Sequence, residues 1–315
     1  MIYPIKLFSG TSNFPLAQEI AQYLGIELSE IEIKKFKDGE ISVKILENVR
    51  SVDVFLIQST SNPANDNIME LLLMVDAAMR ASAQRITAVI PYYGYARQDR
   101  KVEPRVPISA KLVANMLQAA GVDRILTMEL HSDQIQGFFD IPVDNLFASP
   151  LVIEYVRELN ILNPTVVSPD AGGTERARFL ARNIGAELAI VDKRRPEPNK
   201  SEVMNIIGEE SVKNHNCILI DDMIDTAGSI TQAAHALREN GAKDIYCIAT
   251  HAVLSENATE KLKKADFKEI ILTNTIDISE KKLLPNMKIL SMAPLFGEAI
   301  RRIHNGESVS SLFVR

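Results

Sequence analysis

The sequence predicts an α/β fold in two similar domains, each a mostly parallel sheet flanked by helices. Two observations carry that prediction. Short apolar runs of strand length alternate with helix-length segments along the 315-residue chain. A small-residue turn, a helix and a closing glycine then recur at a fixed offset. The length itself suits about two domains.

The elements follow in order. Residues 16–24 predict a helix that stops at Gly25, and 53–58 (DVFLIQ) a buried strand. A helix over 66–81 leads to a strand at 86–90, and a helix over 108–120 to a strand at 124–128. The second half begins with a helix over 149–159, a strand at 165–168 and a helix over 174–184 that stops at Gly185. Strands at 187–191, 217–220, 245–250 and 270–274 follow, with helices over 229–240, 256–265 and 295–303.

The two halves echo each other. Residues 8–25 and 168–185 share the turn, helix and glycine order at an offset of 160 (185 − 25). The strand leading into Pro91 and the strand leading into Thr250 lie 159 apart (250 − 91). A near-constant offset suggests duplication. The expected domains are 1–147 and 148–315, with the tail from about 305 packing on the first. Segments 97–107 and 192–205 are rich in charge and proline and read as exposed loops, the second as a candidate lid.

Bulk composition narrows the function. Hydrophobic content of 46% with 24% charged residues is ordinary for a soluble globular protein. No apolar stretch approaches the roughly 18 residues of a membrane span, and MIYPIKLFSG lacks the pattern of a secretory signal. Cys217 and Cys247 sit in strand-like runs and read as reduced core residues of a cytoplasmic protein. A net charge of −6 argues against nucleic acid as a partner. Anionic substrates would need local cations, which cluster at Arg97, Arg100, Lys101 and Arg105 and at Lys193-Arg194-Arg195.

The most informative stretch is 217–229, CILIDDMIDTAGS. An apolar strand ends at Asp221 and Asp222, whose carboxylates only accept hydrogen bonds and match the donors of vicinal sugar hydroxyls. Asp225-Thr226-Ala227-Gly228-Ser229 then opens a helix whose unpaired first-turn amides suit an anion. Asp225 is expected to cap the turn and point away from it. An ordinary strand–turn–helix with an acidic cap is the plainer alternative.

Other segments fit the same chemistry, each with a plain counterpart. Lys193-Arg194-Arg195 follows a strand and can neutralise a transferring phosphoryl group, or be a solvated basic loop. Arg97 and Gln98 follow a Tyr-rich turn suited to a purine and its phosphates, or are surface residues beside buried rings. Phe36-Lys37-Asp38-Gly39-Glu40 is a hairpin turn on which a base can stack. His131 and Asp170 end strands and can reach a divalent ion, although Mg²⁺ prefers oxygen donors. Walker, GxSxG, HExxH and CxxC patterns are absent from the sequence.

Taken together the motifs resemble those of ribose-phosphate diphosphokinases of class I. The resemblance runs nearly end to end: FSGTS (8–12), FKDGE (36–40), MELLLMVDA (69–77), PYYGYARQDRK (91–101), PISAKLVANML (107–117), HSDQIQGFFDIPVDNL (131–146), SPDAGG (168–173), DKRRP (192–196), DDMIDTAGS (221–229) and RRIHNGESVSSLF (301–313). It implies two phosphoribosyltransferase-like domains and transfer of the diphosphoryl group of Mg-ATP to ribose 5-phosphate. It implies ATP contacts at Phe36, Asp38, Gly39, Glu40, Arg97 and Gln98, and Mg²⁺ at His131 and Asp170. Lys193 and Arg195 would be catalytic. Arg195, Asp221, Asp222 and Asp225 to Ser229 (Thr226, Ala227 and Gly228 included) would hold ribose 5-phosphate. A homohexamer is implied, with a neighbouring subunit completing the ATP site and with ADP and phosphate as allosteric ligands.

Two departures stand out. Ser229 replaces the usual threonine and keeps the hydroxyl. Val102-Glu103-Pro104-Arg105-Val106 carries a proline where a small hydroxyl residue is common, so altered phosphate activation is expected, although Ser308 and Ser310 are kept. A phosphoribosyltransferase and a non-catalytic regulatory homologue are the competing functions. The first has no need of the RQD and KRR segments, and the second commonly interrupts the loop that is intact here.

Overall fold

The computed structural model describes residues 4–194 and 203–313, with backbone alone for 193, 194, 203 and 204. Two compact units emerge. One comprises Met1–Phe147, Thr275–Asp277 and Ser291–Val314, the other Ala148–Asn274 and Ile278–Leu290.

The first unit begins with β1 (Ile5–Ser9) and α1 (Phe14–Leu24). The Asn13 side chain caps α1 by accepting from the Leu16 amide at 3.4 Å, and Gly25 closes it at φ 68°. A separate antiparallel hairpin follows, β2 (Ile31–Lys35) with β3 (Ile41–Ile45). Next come β4 (Asp53–Ile57), α2 (Ala64–Arg80), β5 (Arg85–Ile90), α3 (Ser109–Ala120), β6 (Arg124–Met128) and β7 (Val143–Leu146). The five-stranded sheet has the order β1-β4-β5-β6-β7 and is parallel throughout. Every residue of β4 is buried, as expected of a strand covered on both faces.

The second unit contains α4 (Ser149–Glu158), β8 (Pro164–Ser168), α5 (Thr174–Ile184), β9 (Glu187–Arg194), β10 (Val203–Ile207), β11 (Asn216–Ile224), α6 (Gly228–Glu239), β12 (Ile245–Ala252), α7 (Ala258–Lys264), β13 (Glu269–Thr273) and β14 (Met287–Leu290). Its sheet runs β10-β9-β8-β11-β12-β13-β14, with only β10 antiparallel. Strands β8-β11-β12-β13-β14 therefore reproduce β1-β4-β5-β6-β7. The hairpin that forms a separate sheet in the first unit joins the sheet edge in the second.

Two boundaries differ from those expected. Strand β9 runs on through Lys193 and Arg194 because β10 pairs with it, Lys193 opposite Met204 and Arg194 opposite Val203. The loop expected over 192–205 thus contracts at both ends. Strand β11 does not stop at Ile220 but continues to Ile224, since β12 pairs with it as far as Ala252.

The helix after each sheet crosses to the other unit. α4 follows β7 yet belongs to the second unit, where it packs on α5. α8 (Ala293–Asn305) follows β14 yet belongs to the first unit, where it packs on α1. A single division at 147/148 would place α8 with the second domain. Its apolar stripe (Phe296, Ala299, Ile300, Ile303) is buried, and a Cβ on Gly297 would run into the Tyr23 ring. Asp53, 3% exposed, anchors the end of α8: it accepts from Arg85 Nε at 2.8 Å and pairs with His304 Nδ1 at 2.8 Å. Arg85 also donates to the Ile303 carbonyl at 3.0 Å, placing a cation at the negative end of the helix.

Both cysteines are buried and free. Burial pushes the Cys217 thiol up to about 12 and raises that of Cys247 as well, so neither supplies a thiolate near neutral pH.

Candidate active site

The second sheet has a switch point between β8 and β11. From β8 the chain moves to β9 on one side, and from β11 it moves to β12 on the other. Loops leaving the carboxyl ends of these two strands border a crevice, the usual ligand position in an open α/β sheet. The loop after β8 is 169–173 and the loop after β11 is 225–227.

Register places the acids. β11 pairs with β8 only as far as Leu219 opposite Val167, whereas its pairing with β12 continues to Ile224. Asp221 and Asp222 therefore lie on a strand whose β8 side has ended. Asp222 is 5% exposed, and its backbone N–H donates to Asp221 Oδ1 at 2.9 Å. Burial, then the charge of Asp222 and a hydrogen bond with it, push the Asp221 carboxyl up to about 7. Arg176 Nη1, 3.8 Å from Asp221 Oδ1, pulls the other way.

The 225–229 turn presents bare amides. Ala227 takes a left-handed conformation at φ 59° as N-cap of α6, and no side chain caps the helix. The first helical bond is Thr231 N to Ala227 O at 3.1 Å, which leaves the amides of Gly228, Ser229 and Ile230 outside the helical ladder. Neighbouring side chains brace the turn from behind. Ser255 donates through its hydroxyl to Asp225 Oδ1 and through its N–H to Asp225 O at 3.0 Å. Lys261 Nζ donates to the Thr226 carbonyl at 2.9 Å. Thr231 Oγ1 donates to Ala227 O at 2.7 Å. The Asp225 carboxylate is thus turned toward the segment after β12.

The loop after β8 is built similarly. Ser168 Oγ donates to Asp170 O at 2.6 Å, and Gly173 N donates to Asp170 Oδ1 at 3.1 Å. Gly173 is the N-cap of α5 and brings no capping side chain. A Cβ on Gly173 would meet Ser168 Oγ at 2.8 Å, so the close approach requires glycine. The crevice therefore has two helix N-termini without side-chain caps, two acids and Arg176. Arg176 was missed in the sequence because it reads as one more cation on a helix face.

The remaining candidates belong elsewhere. Phe36, Asp38, Gly39 and Glu40 form the exposed turn between β2 and β3: Phe36 N donates to Glu40 O at 2.8 Å, and Glu40 N to Asp38 Oδ1 at 3.1 Å. Gly39 sits at φ 97° there. Arg97 and Gln98 are exposed in the segment after β5, where the Gln98 side chain accepts from the Ser109 hydroxyl. His131 is exposed after β6, in the first unit, whereas Asp170 belongs to the second. Arg195 and the side chain of Lys193 lie outside the described residues.

Among the described residues no group of three or more His, Cys, Asp or Glu side chains forms a metal cage. Asp170, Asp221 and Asp222 are nonetheless oxygen donors of the kind Mg²⁺ takes one or two at a time beside phosphate and water.

Comparison with known proteins gives a consistent result. Residues 5–121 match the model of the N-terminal domain of ribose phosphate pyrophosphokinase, and residues 163–314 match the phosphoribosyl synthetase-associated domain. A ribose-phosphate pyrophosphokinase of Clostridium tetani is 58% identical over 312 residues, covering 98% of this chain and 97% of that one. One from Campylobacter jejuni is 54% identical over 309 residues, covering 98% and 99%. The crystal structure of phosphoribosylpyrophosphate synthetase from Mycobacterium smegmatis superposes with a TM-score of 0.91 at 43% identity, covering 96% of this chain and 99% of that one.

Proposed function

The chain belongs to the ribose-phosphate pyrophosphokinase family, and from that premise we propose that it transfers the diphosphoryl group of ATP to O1 of ribose 5-phosphate. The O1–Pβ bond forms as O1 loses its proton to water, the bond from Pβ to the α,β-bridging oxygen breaks, and AMP leaves with that oxygen. The products are AMP and 5-phosphoribosyl 1-diphosphate.

The observation that carries the assignment is the overrun of β11 past β8. It sets two carboxylates beside bare helix amides at the switch point. In this reading the amides of Gly228 and Ser229, with the hydroxyls of Thr226 and Ser229, hold the 5-phosphate. Asp221 and Asp222 accept from the sugar hydroxyls and fix the ring, so that O1 faces the incoming phosphorus. Lys193 and Arg195 carry positive charge to the transferring group, and Arg195 also contacts the sugar phosphate. Phe36, Asp38, Gly39, Glu40, Arg97 and Gln98 hold ATP.

Mg²⁺ fits this donor set, with Asp170 and His131 as the residues the family pattern assigns to it. When bound it neutralises phosphate charge. The chain's own part is positioning and charge complementarity, and no side chain becomes a covalent nucleophile.

Assembly as a homohexamer, control by phosphate and ADP and a cytoplasmic location are further parts of the proposal, supported by the sequence resemblance. Among the described residues no helix is long and apolar enough to cross a membrane.

The deciding experiment is AMP release from Mg-ATP measured with and without ribose 5-phosphate. Strict dependence on the sugar phosphate is the expected result. Release of AMP without it, or none with it, would overturn the assignment.

A further inference from the structure

A cavity of about 480 Å³ lies between α6 and α7 in the second unit, behind the 225–229 turn. Its lining is dominated by Thr231, His235, Arg238, Lys261 and Lys264, with Asp266 at the rim. The Asp266 carboxylate lies 3.8 Å from Arg238 Nη2, but its side chain is 91% exposed, so water screens the pairing and an incoming oxyanion can compete for the guanidinium. Arg238 is held in place by donating to the Ala265 carbonyl at 3.0 Å and to that of Asp266. Three cationic side chains around one concave space, in a chain of net charge −6, form a local reversal of sign. The volume falls in the usual range for small ligands.

One lining residue reaches both ways. Lys261 lines the cavity, and its ammonium donates to the carbonyl of Thr226 at 2.9 Å. Thr226 precedes Ala227, the residue held at φ 59°, so its carbonyl orientation is part of what sets the turn. An ammonium is a flexible point charge with three donors, and a phosphate oxygen competes well for it against a neutral carbonyl.

We propose that the α6–α7 cavity is an effector site for a small phosphorylated anion, which recruits Lys261 away from Thr226 and loosens the 225–229 turn. The ligand class follows from the lining: oxyanions of the phosphate or diphosphate type. The direction follows from the hydrogen bond: occupancy weakens the turn's grip on its own phosphate. This linkage rests on the assignment of that turn to ribose 5-phosphate, whereas the cavity's affinity for anions does not.

The chain has no tryptophan, so His235→Trp places a single indole at the rim, where the native side chain is 74% exposed. Titration with inorganic pyrophosphate, without Mg²⁺ and at constant ionic strength, should give a saturable fluorescence change at or below about 1 mM. Adding Lys264→Ala should weaken it about tenfold, the equivalent of about 1.4 kcal/mol. Glu239→Trp, one turn further along α6, repeats the reading without replacing a lining side chain. A linear response at both positions, or a curve indifferent to Lys264→Ala, means an adventitious ion only and overturns the site. In steady-state assays the anion should raise the KM for ribose 5-phosphate at least threefold more in the native protein than in Lys264→Ala. Equal rises in both overturn the linkage, and the fluorescence result stands or falls separately even if the protein lacks the proposed activity.

Discussion

Gln58 occupies in the first sheet the position that Asp221 occupies in the second. Ile57 pairs with Ser9, the last residue of β1. Leu219 pairs with Val167, which sets Ile220 level with Ser168, the last residue of β8. The next residues are Gln58 and Asp221, followed by Ser59 and Asp222. The first unit thus lacks both acids. Gln58 instead turns its amide into the loop after β1, accepting from the Ser12 hydroxyl at 2.7 Å and donating to Glu70 at 2.7 Å. Glu70, 5% exposed, also accepts from the Thr11 amide at 2.7 Å. A buried carboxylate therefore braces, in the first unit, the loop after β1, the counterpart of the loop after β8, while the two acids that the sugar needs are missing from the end of β4. Equilibrium binding should find one ribose 5-phosphate per chain, and a stoichiometry of two would contradict the reading.

Glu70→Ala should be strongly destabilising. It strands the fully buried Gln58 side-chain donor, at roughly 1–3 kcal/mol, and removes the acceptor of the Thr11 amide, which belongs to an exposed residue that water can reach. A loss of about 2 kcal/mol in denaturant unfolding is expected, with Glu70→Gln losing less. An unchanged midpoint for the alanine variant would refute the role.

The raised Asp221 carboxyl makes two pH predictions. Its value in the fold is about 7 against an ordinary 3.8, so the native state holds a proton that the unfolded chain releases. The associated stability is present below 3.8 and is lost as pH climbs to about 7. Sugar hydroxyls need the ionised form, so kcat/KM for ribose 5-phosphate should rise across pH 7. Asp222→Asn removes the neighbouring charge and should move that limb to lower pH. A limb that stays put would mean that another group titrates.

Gly173→Ala tests the loop after β8. The added methyl meets Ser168 Oγ at 2.8 Å, and Ser168 is fully buried and bonded to Asp170 O. Activity should fall at least tenfold while the unfolding midpoint moves little, since displacement of a catalytic loop by about 1 Å can cost on the order of 100-fold. Near-native turnover would show that the loop tolerates the shift.

Lys193→Ala should lower kcat by orders of magnitude with ribose 5-phosphate binding nearly unchanged, because a charge acting mainly in the transition state leaves ground-state affinity alone. Stopped-flow turnover and equilibrium binding separate the two quantities. A kcat within a factor of three of native would remove Lys193 from the mechanism.

Much of this was legible in the chain. Strand cores such as residues 54–57 announce themselves as continuous apolar runs, and Gly25 and Gly185 end their helices as expected. The segment 221–229 could be read because strand end, acids and turn follow one another in sequence. What escaped depends on contacts between distant segments. The length of β11 is set by β12, that of β9 by β10, and the homes of α4 and α8 by the helices they meet. Arg176 and Glu70 look like ordinary helix residues until the fold turns one toward Asp221 and the other toward Thr11.

The crossed allegiance of α8 bears on how the protein is made. α1 is synthesised well before the helix that packs on it, since α8, with Gly297 against the Tyr23 ring, begins only at Ala293. The first unit therefore lacks one of its helices until the residues of α8 have been made. A stalled or truncated product ending before Ala293 leaves α1 without its partner helix and is a natural client for chaperones, even though its own five-stranded sheet is complete.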